Sequence, residues 1–300
     1  MRRSLFALVV VACAAMARAG TFTTIEAIEY ANVDGTSLLM DLRIPDDEAL
    51  HPVIVYLHSG AWITGDRTGG PAIREASRGF AVASIDYRLA PKYTWPAQIE
   101  DCKAAVRWLR ANAVRYRLDP KRIAVFGTSA GGHLAAMLGT TANRTEFEGL
   151  QLGNPQFSSS VKAVIDFYGP TDLTKIEDQK LPCYPGLDGN SPYLPLSLLL
   201  GCPILKCPEK AATANPINYV SAGDPPFLIM QGMLDCLVPW RQSQMLYDAL
   251  KEDGVDATLV LLSTAQHADS QFNQPKYQQM VDDFLDRTIG TPKRRRAAGR

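Results

Sequence analysis

The chain has 300 residues, 46% of them hydrophobic, which is enough to bury one sizeable core, so a single α/β domain is expected. Its 31 basic residues balance its 31 acidic residues. This balance excludes a broad positive field that would hold nucleic acid and favours a neutral substrate.

Residues 1–19 are predicted to be a secretory signal peptide. Two arginines precede an apolar run from Leu5 to Met16, and a stretch of small residues ends at Ala19. The run is shorter than the roughly 20 residues that a membrane-spanning helix requires. A lipid anchor at Cys13 is the alternative. We therefore expect a secreted or periplasmic protein without a stable membrane span.

Cleavage after residue 19 would leave five cysteines, and an odd number leaves at least one thiol unpaired. Three of them share one proline-rich stretch, where an oxidising compartment favours a bridge, whereas Cys102 lies in a predicted helix and is expected to be buried. The sequence does not define the pairing among Cys102, Cys183, Cys202, Cys207 and Cys236.

Short runs rich in Val, Ile and Phe alternate with segments of helical period along the chain. This alternation predicts an α/β fold with a mostly parallel central sheet and crossover helices. The expected strands are residues 53–57, 81–87, 122–126, 161–167, 227–231 and 258–262, and the expected helices are 99–113, 129–140, 241–251 and 274–288. An open α/β sheet carries its ligand site outside the carboxyl ends of its strands.

Residues 173–215 interrupt this rhythm. The segment is rich in proline, holds three cysteines and carries an apolar patch at 194–200. Long irregular insertions of this kind are usually lids, binding loops or disorder, and we expect a small cap over the site. The catalytic domain is predicted to span 20–290, and 291–300 to form a basic, solvated tail.

The pentapeptide from Gly127 to Gly131 follows a predicted strand and opens a predicted helix, the context in which G-x-S-x-G marks a nucleophile. Ser129 is therefore the expected nucleophile. A serine hydroxyl requires a base, and in this fold class the chain order is serine, acid, histidine. Of the four histidines, only His267 comes late enough.

Asp235 is the expected acid, because it follows the predicted strand 227–231 and lies between the serine and the histidine in the chain. Asp166 and Asp172 are the competing candidates. Asp166 lies inside an apolar run and Asp172 begins the cap, so each has a structural use.

The loop after the first core strand is expected to supply N–H donors to the oxyanion, each worth about 2.7 to 4 kcal/mol of barrier. Gly60 and Ala61 would donate from this loop, and Ala130 from the turn at the nucleophile. His58 and Trp62 are expected at the substrate pocket, although Trp62 could equally be a core aromatic.

Taken in order along the chain, these motifs resemble those of the hormone-sensitive-lipase-like α/β-hydrolases, especially the feruloyl-esterase-like and acetyl-xylan-esterase-like branch. The resemblance covers about residues 27–285. It rests on His58 to Trp62, Gly65 to Arg67, Asp86 to Leu89, Pro96 to Gln98, Gly127 to His133, and Asp235 with Val238 and Pro239.

The resemblance implies a carboxylic-ester hydrolase without a cofactor that acts on small acyl esters or on acetyl and feruloyl esters of plant polysaccharides. The family usually has His-Gly-Gly-Gly-Trp where this chain has Ser59 and Ala61 in place of two glycines. A residue with a Cβ costs about 1 to 2 kcal/mol in a left-handed conformation, so this loop is either not left-handed there or reshaped.

Two other functions stay open. One is a serine amidase or peptidase on the same fold, and the other is a secreted binding protein that has lost catalysis. A metal-dependent mechanism is not favoured, because the histidines are scattered and the Cys202 to Cys207 pair alone is no zinc site. The sequence does not define the oligomeric state.

Overall fold

The computed structural model describes residues 20–68, 70, 72–183 and 188–292. The predicted signal peptide, the alternative anchor at Cys13 and all but the first two residues of the basic tail lie outside this part of the chain. No helix in the described ranges combines the length and apolar character needed to cross a membrane.

One eight-stranded sheet forms the centre of the molecule, in the order β1-β2-β4-β3-β5-β6-β7-β8. The first two strands pair antiparallel with each other, β2 also pairs antiparallel with β4, and all other neighbours are parallel. The strands are β1 (Phe22–Val33), β2 (Thr36–Pro45), β3 (His51–Leu57), β4 (Ala81–Ile85), β5 (Leu118–Thr128), β6 (Ala163–Phe167), β7 (Phe227–Gly232) and β8 (Ala257–Leu262).

Helices cover both faces of this sheet. The apolar side chains of α2, α3 and α7 pack on one face, and those of α1 and α8 pack on the other. The described helices are α1 (Ala72–Arg78), α2 (Ala97–Ala111), α3 (Ala130–Thr140), α4 (Ile176–Gln179), α5 (Pro195–Leu200), α6 (Pro208–Thr213), α7 (Arg241–Glu252) and α8 (Pro275–Thr288). The predicted α/β fold class is confirmed.

The site lies where the order of the strands in the sheet reverses. The strands β4 and β5 lie on opposite sides of β3, so the chain leaving β3 and the chain leaving β5 diverge at the same edge. Such a reversal opens a crevice outside the carboxyl ends of the strands. The loop that begins at His58 and the turn at Ser129 meet there.

The segment 173–215, where it is described, forms the short helices α4, α5 and α6. One disulfide, Cys202–Cys207, closes a small loop within it, as the proline-rich stretch favours. The second disulfide joins Cys183 of this segment to Cys236, one residue after Asp235. Cys102 is a buried free thiol, as expected.

Candidate active site

Ser129 lies at a sharp turn between β5 and α3. Its backbone has φ 55° and ψ −119°, a conformation that costs on the order of 1 to 3 kcal/mol in a residue with a Cβ. A hydrogen bond of 2.8 Å from the Ser129 N–H to the Phe167 carbonyl oxygen holds the turn. A Cβ on Gly127 would lie 1.9 Å from the Gly131 carbonyl oxygen, and one on Gly131 would lie 2.1 Å from the Leu57 carbonyl oxygen. Glycine is therefore required at both positions, because the backbone at Gly127 packs directly against Gly131, and the backbone at Gly131 packs directly against Leu57.

The structure brings Ser129, His267 and Asp235 into one hydrogen-bonded chain. The Ser129 Oγ is 2.9 Å from His267 Nε2, and His267 Nδ1 is 2.6 Å from Asp235 Oδ2. Because a carboxylate only accepts, Nδ1 carries the imidazole proton and Nε2 is free to accept the serine proton. This tautomer is the one that a general base requires.

The Asp235 carboxylate is fully buried and held by several donors. Its Oδ1 accepts the N–H groups of Leu237 at 2.8 Å and Val238 at 2.9 Å, and its Oδ2 accepts from His267 and from the Gln231 side chain at 3.0 Å. These donors fix the direction of the carboxylate. Asp235 therefore presents Oδ2 to the imidazole.

The two competing carboxylates lie elsewhere. Asp166 Oδ1 accepts the Gly169 N–H at 2.9 Å, and burial raises the pKa of Asp166 to about 7. Asp172 Oδ1 accepts from the Thr174 hydroxyl at 2.6 Å and from the Asn215 amide at 2.9 Å. Within the described chain, neither carboxylate has a hydrogen bond to His267.

The loop after β3 is left-handed at three consecutive positions. The φ values are 120° at Gly60, 54° at Ala61 and 61° at Trp62. Ser59 is not left-handed, so its side chain costs nothing there, whereas Ala61 carries the strain of about 1 to 2 kcal/mol that a glycine would avoid. The loop thus adopts a left-handed turn even though Ala61 stands where the family usually has a glycine.

The predicted donors are placed unequally around the site. Ala61 and Ala130 line the same cavity as Ser129, whereas Gly60 is not among the lining residues. The carbonyl oxygen of Gly60 instead accepts the N–H groups of Ile63 and Thr64, which closes the turn behind the cavity. These contacts involve the Gly60 carbonyl oxygen and not its N–H group, so the Gly60 N–H stays a predicted donor to the oxyanion.

His58 is not in the cavity wall, which corrects the expectation that it lines the substrate pocket. Its ring stacks on Tyr87 at a centroid distance of 4.1 Å, and its Nδ1 donates to the Ser59 carbonyl oxygen at 2.7 Å. Burial lowers the pKa of His58. The residue therefore supports the loop from behind as a neutral imidazole.

Trp62 is both a cavity wall and a core aromatic, so the two interpretations hold together. Its side chain is buried and lines the cavity, and its Nε1 donates to His133 Nδ1 at 3.2 Å. His133 Nε2 donates in turn to the Ala214 carbonyl oxygen at 2.6 Å, and burial lowers the pKa of His133 to about 4. A neutral imidazole thus links the cavity wall to the end of the cap segment.

Ser129 and His267 open into an apolar cavity of about 150 Å³. Residues of the segment 173–215 supply part of its wall, and the loop after Asp235 supplies another part. The lining residues are Ala61, Trp62, Ser129, Ala130, Pro170, Ile176, Leu194, Pro195, Leu196, Leu237, Val238 and His267. Within the described residues, no group of three or more His, Cys, Asp or Glu side chains could hold a metal ion.

Two residues around the triad were not singled out from the sequence. Tyr168, which has φ 46°, makes an edge-to-face ring contact with His267 at a centroid distance of 4.9 Å. Gln231 donates to the Asp235 carboxylate from within β7. A single amide in the otherwise apolar strand Phe227–Gly232, four residues before Asp235, is the signal that could have identified Gln231.

A mostly parallel sheet with helices on both faces and a serine turn after β5 defines an α/β-hydrolase. The chain belongs to the BD-FAE family, whose sequence profile matches residues 40–250.

Esterase LipC of Mycobacterium tuberculosis is 36% identical over 206 residues, which cover 67% of this chain and 48% of LipC. Probable carboxylic ester hydrolase LipM of the same organism is 34% identical over 209 residues, 67% of this chain and 45% of LipM. The chain thus spans about half the length of the curated relatives it matches.

Among solved structures, a truncated carbohydrate esterase from gut microbiota is similar to this chain with a TM-score of 0.79 and 28% identity. The match covers 91% of this chain and 98% of that structure. The relatives therefore include proteins named as esterases, one of them as a carbohydrate esterase.

Proposed function

We propose that the protein is a serine carboxylic-ester hydrolase that works through an acyl-enzyme. The observation that carries the proposal is the hydrogen-bonded chain from Ser129 Oγ through His267 to Asp235, which opens into an apolar cavity. The names of the relatives support ester hydrolysis as the reaction.

The geometry supports two acyl-transfer steps. Ser129 Oγ attacks the ester carbonyl carbon while His267 Nε2 takes the hydroxyl proton, and the carbonyl becomes a tetrahedral oxyanion. The N–H groups of Gly60, Ala61 and Ala130 are the proposed donors to this oxygen. The intermediate then collapses, the bond to the leaving oxygen breaks, and His267 protonates the alcohol.

Water completes the reaction by the same route in reverse. His267 removes a proton from water, and the hydroxide oxygen attacks the acyl carbon. The bond to Ser129 Oγ breaks and the serine regains its proton from His267. The products are a carboxylic acid and a free enzyme, so no cofactor enters the balance.

The cavity supports a small acyl group. An apolar cavity on the order of 150 Å³ holds a single benzene molecule, which is smaller than a feruloyl group. The similarity to a carbohydrate esterase supports a sugar as the alcohol. We therefore propose short acyl esters, including acetylated polysaccharides, as substrates in preference to feruloyl esters.

A panel of esters tests this preference. We expect the specificity constant for 4-nitrophenyl esters to be greatest between acetyl and about butyryl and to fall at least tenfold by decanoyl, because longer chains exceed the cavity. Acetylated xylan should release acetate, and methyl ferulate should react slowly. Decanoyl or feruloyl esters as the best substrates would contradict the proposed acyl size.

An amide substrate and a fluorophosphonate label, used beside the ester panel, separate the alternatives. An amide of the same acyl group that is cleaved faster than its ester would favour an amidase. The absence of ester turnover, together with no labelling by a fluorophosphonate, would favour a catalytically silent binding protein. The filled triad positions support the enzyme.

We also propose that the chain is exported. Two disulfides, Cys183–Cys236 and Cys202–Cys207, support an oxidising compartment, since structural disulfides persist there. N-terminal sequencing of the secreted protein tests the proposal, and we expect the mature chain to begin at Gly20. A mature chain that retains residues 1–19 would contradict it.

A further inference from the structure

A fully buried amide lies directly behind the catalytic carboxylate. Gln231, in β7, places its Nε2 3.0 Å from Asp235 Oδ2, 3.1 Å from the Gly232 carbonyl oxygen and 3.1 Å from the Val238 carbonyl oxygen. Its Oε1 accepts the hydroxyl of Ser243 at 3.0 Å. The amide thus has partners at both ends.

These partners determine which end of the amide faces Asp235. Three acceptor oxygens surround the position of Nε2, so an oxygen placed there would have no donor. The Ser243 hydroxyl, which is buried in the first turn of α7, fixes the other end. The network therefore runs from Ser243 through Gln231, Asp235 and His267 to Ser129.

We propose that Gln231 is a positioning residue of the reaction, which holds Asp235 Oδ2 toward His267 and disperses the negative charge on that oxygen. The proposal rests on the proposed function. Asp235 Oδ2 is shared by two donors, His267 Nδ1 and Gln231 Nε2, while the backbone N–H groups of Leu237 and Val238 occupy Oδ1. These four donors fill the four acceptor sites of a carboxylate.

Removal of the Gln231 donor leaves His267 as the only partner of Oδ2. The Leu237 and Val238 N–H groups still hold Oδ1, but Oδ2 loses one of its two donors and moves over a wider range, which lowers the fraction of molecules with the imidazole aligned on Ser129. The charge on Oδ2 is also less dispersed, so it stabilises a protonated imidazole more strongly. The expected result is a lower rate and an acidic limb of the pH–rate profile that moves to higher pH.

Other groups around the imidazole do not produce this shift. Tyr168 faces His267 from the end of β6, and burial raises the pKa of its hydroxyl, which therefore stays neutral. Asp269 directs its carboxylate to the N–H groups of Gln266 and Gln271. Among the described residues, Asp235 is thus the charged group hydrogen-bonded to His267.

The test compares Gln231→Met with the wild type on a short-chain ester between pH 5 and pH 9. We expect kcat to fall about tenfold, as for the loss of a hydrogen bond to a charged group, and the acidic midpoint to rise. Gln279→Met, the same substitution at an exposed site on α8, is the matched control and should keep the wild-type profile. Ser243→Ala removes the hydrogen bond to Gln231 Oε1 but keeps the Gln231 amide. It should shift the pH–rate profile in the same direction as Gln231→Met, by a smaller amount.

A second measurement does not depend on activity. The proton between His267 Nδ1 and Asp235 gives a downfield NMR signal, which can be followed in Ser129→Ala. We expect this signal to move further downfield when Gln231→Met is added, because Oδ2 then has one donor fewer. An unchanged signal and an unchanged pH profile in folded Gln231→Met would overturn the positioning role, whereas a wild type without esterase activity would instead overturn the proposed function.

Discussion

Ser129→Ala is expected to lower kcat for the preferred ester by about 10⁶-fold, while substrate binding changes little. In the proposed mechanism the serine oxygen forms the bond to the acyl carbon, and within the described residues no other hydroxyl lies in hydrogen-bond contact with His267. The methyl group of alanine occupies the same cavity wall. The loss should therefore appear in the chemical step.

The measurement is the initial rate of ester hydrolysis together with labelling by a fluorophosphonate. Labelling should disappear in Ser129→Ala and persist in Asn143→Ala, a change at an exposed position that is not part of the cavity wall. Circular dichroism checks that both variants are folded. A Ser129→Ala enzyme that keeps more than about a hundredth of the wild-type rate would place the nucleophile at another residue, since the expected loss is far larger.

The triad could be predicted from the sequence because each member follows a strand whose apolar run is unmistakable. Ser129, Asp235 and His267 come after β5, β7 and β8, and the carboxyl ends of parallel strands meet at one edge of the sheet. The chain order then leaves one histidine and one preferred acid. The hydrogen-bond distances among the three side chains depend on how the loops fold, and the spacing of residues in the sequence does not predict them.

The first two strands could not be predicted in the same way. The apolar residues Phe22, Ile25 and Ile28 recur every third position, not every second. The register shift between Ile25 and Ile28, at Ala27 with φ 54°, explains the second of these intervals, since a bulge inserts an extra residue. A second shift follows between Glu29 and Ala31. Strict alternation is thus lost where the strand is most irregular.

The segment 173–215 and the loop around Asp235 contain contacts that the sequence could not predict, for a different reason. Proline content and cysteine spacing indicated an insertion with an internal bridge, and Cys202–Cys207 fits that pattern. The bridge from Cys183 to Cys236 joins residues 53 positions apart and depends on how the cap folds over the sheet. Likewise, His58 precedes the predicted oxyanion loop in sequence but is not part of the cavity wall and stacks on Tyr87.

Asp235→Asn is expected to lower kcat by about 10⁴-fold, the order of magnitude typical of this change in Ser-His-Asp triads. The structure gives a specific reason. The backbone N–H groups of Leu237 and Val238 require an oxygen at Oδ1, so the amide nitrogen of asparagine must take the place of Oδ2. That nitrogen donates, and His267 Nδ1 must then become the acceptor.

The consequence is the wrong tautomer. With the proton moved to Nε2, His267 donates toward Ser129 Oγ and no longer accepts its proton. Measurement of kcat between pH 7 and pH 10 tests this, and Asp172→Asn, whose carboxylate contacts Thr174 and Asn215, is the control that should keep most of its turnover. Near-normal turnover in folded Asp235→Asn would show that a different group orients the imidazole. The four donors around Asp235 require acceptor oxygens, and an asparagine at this position cannot accept from His267 Nδ1 while it also accepts from the Leu237 and Val238 N–H groups.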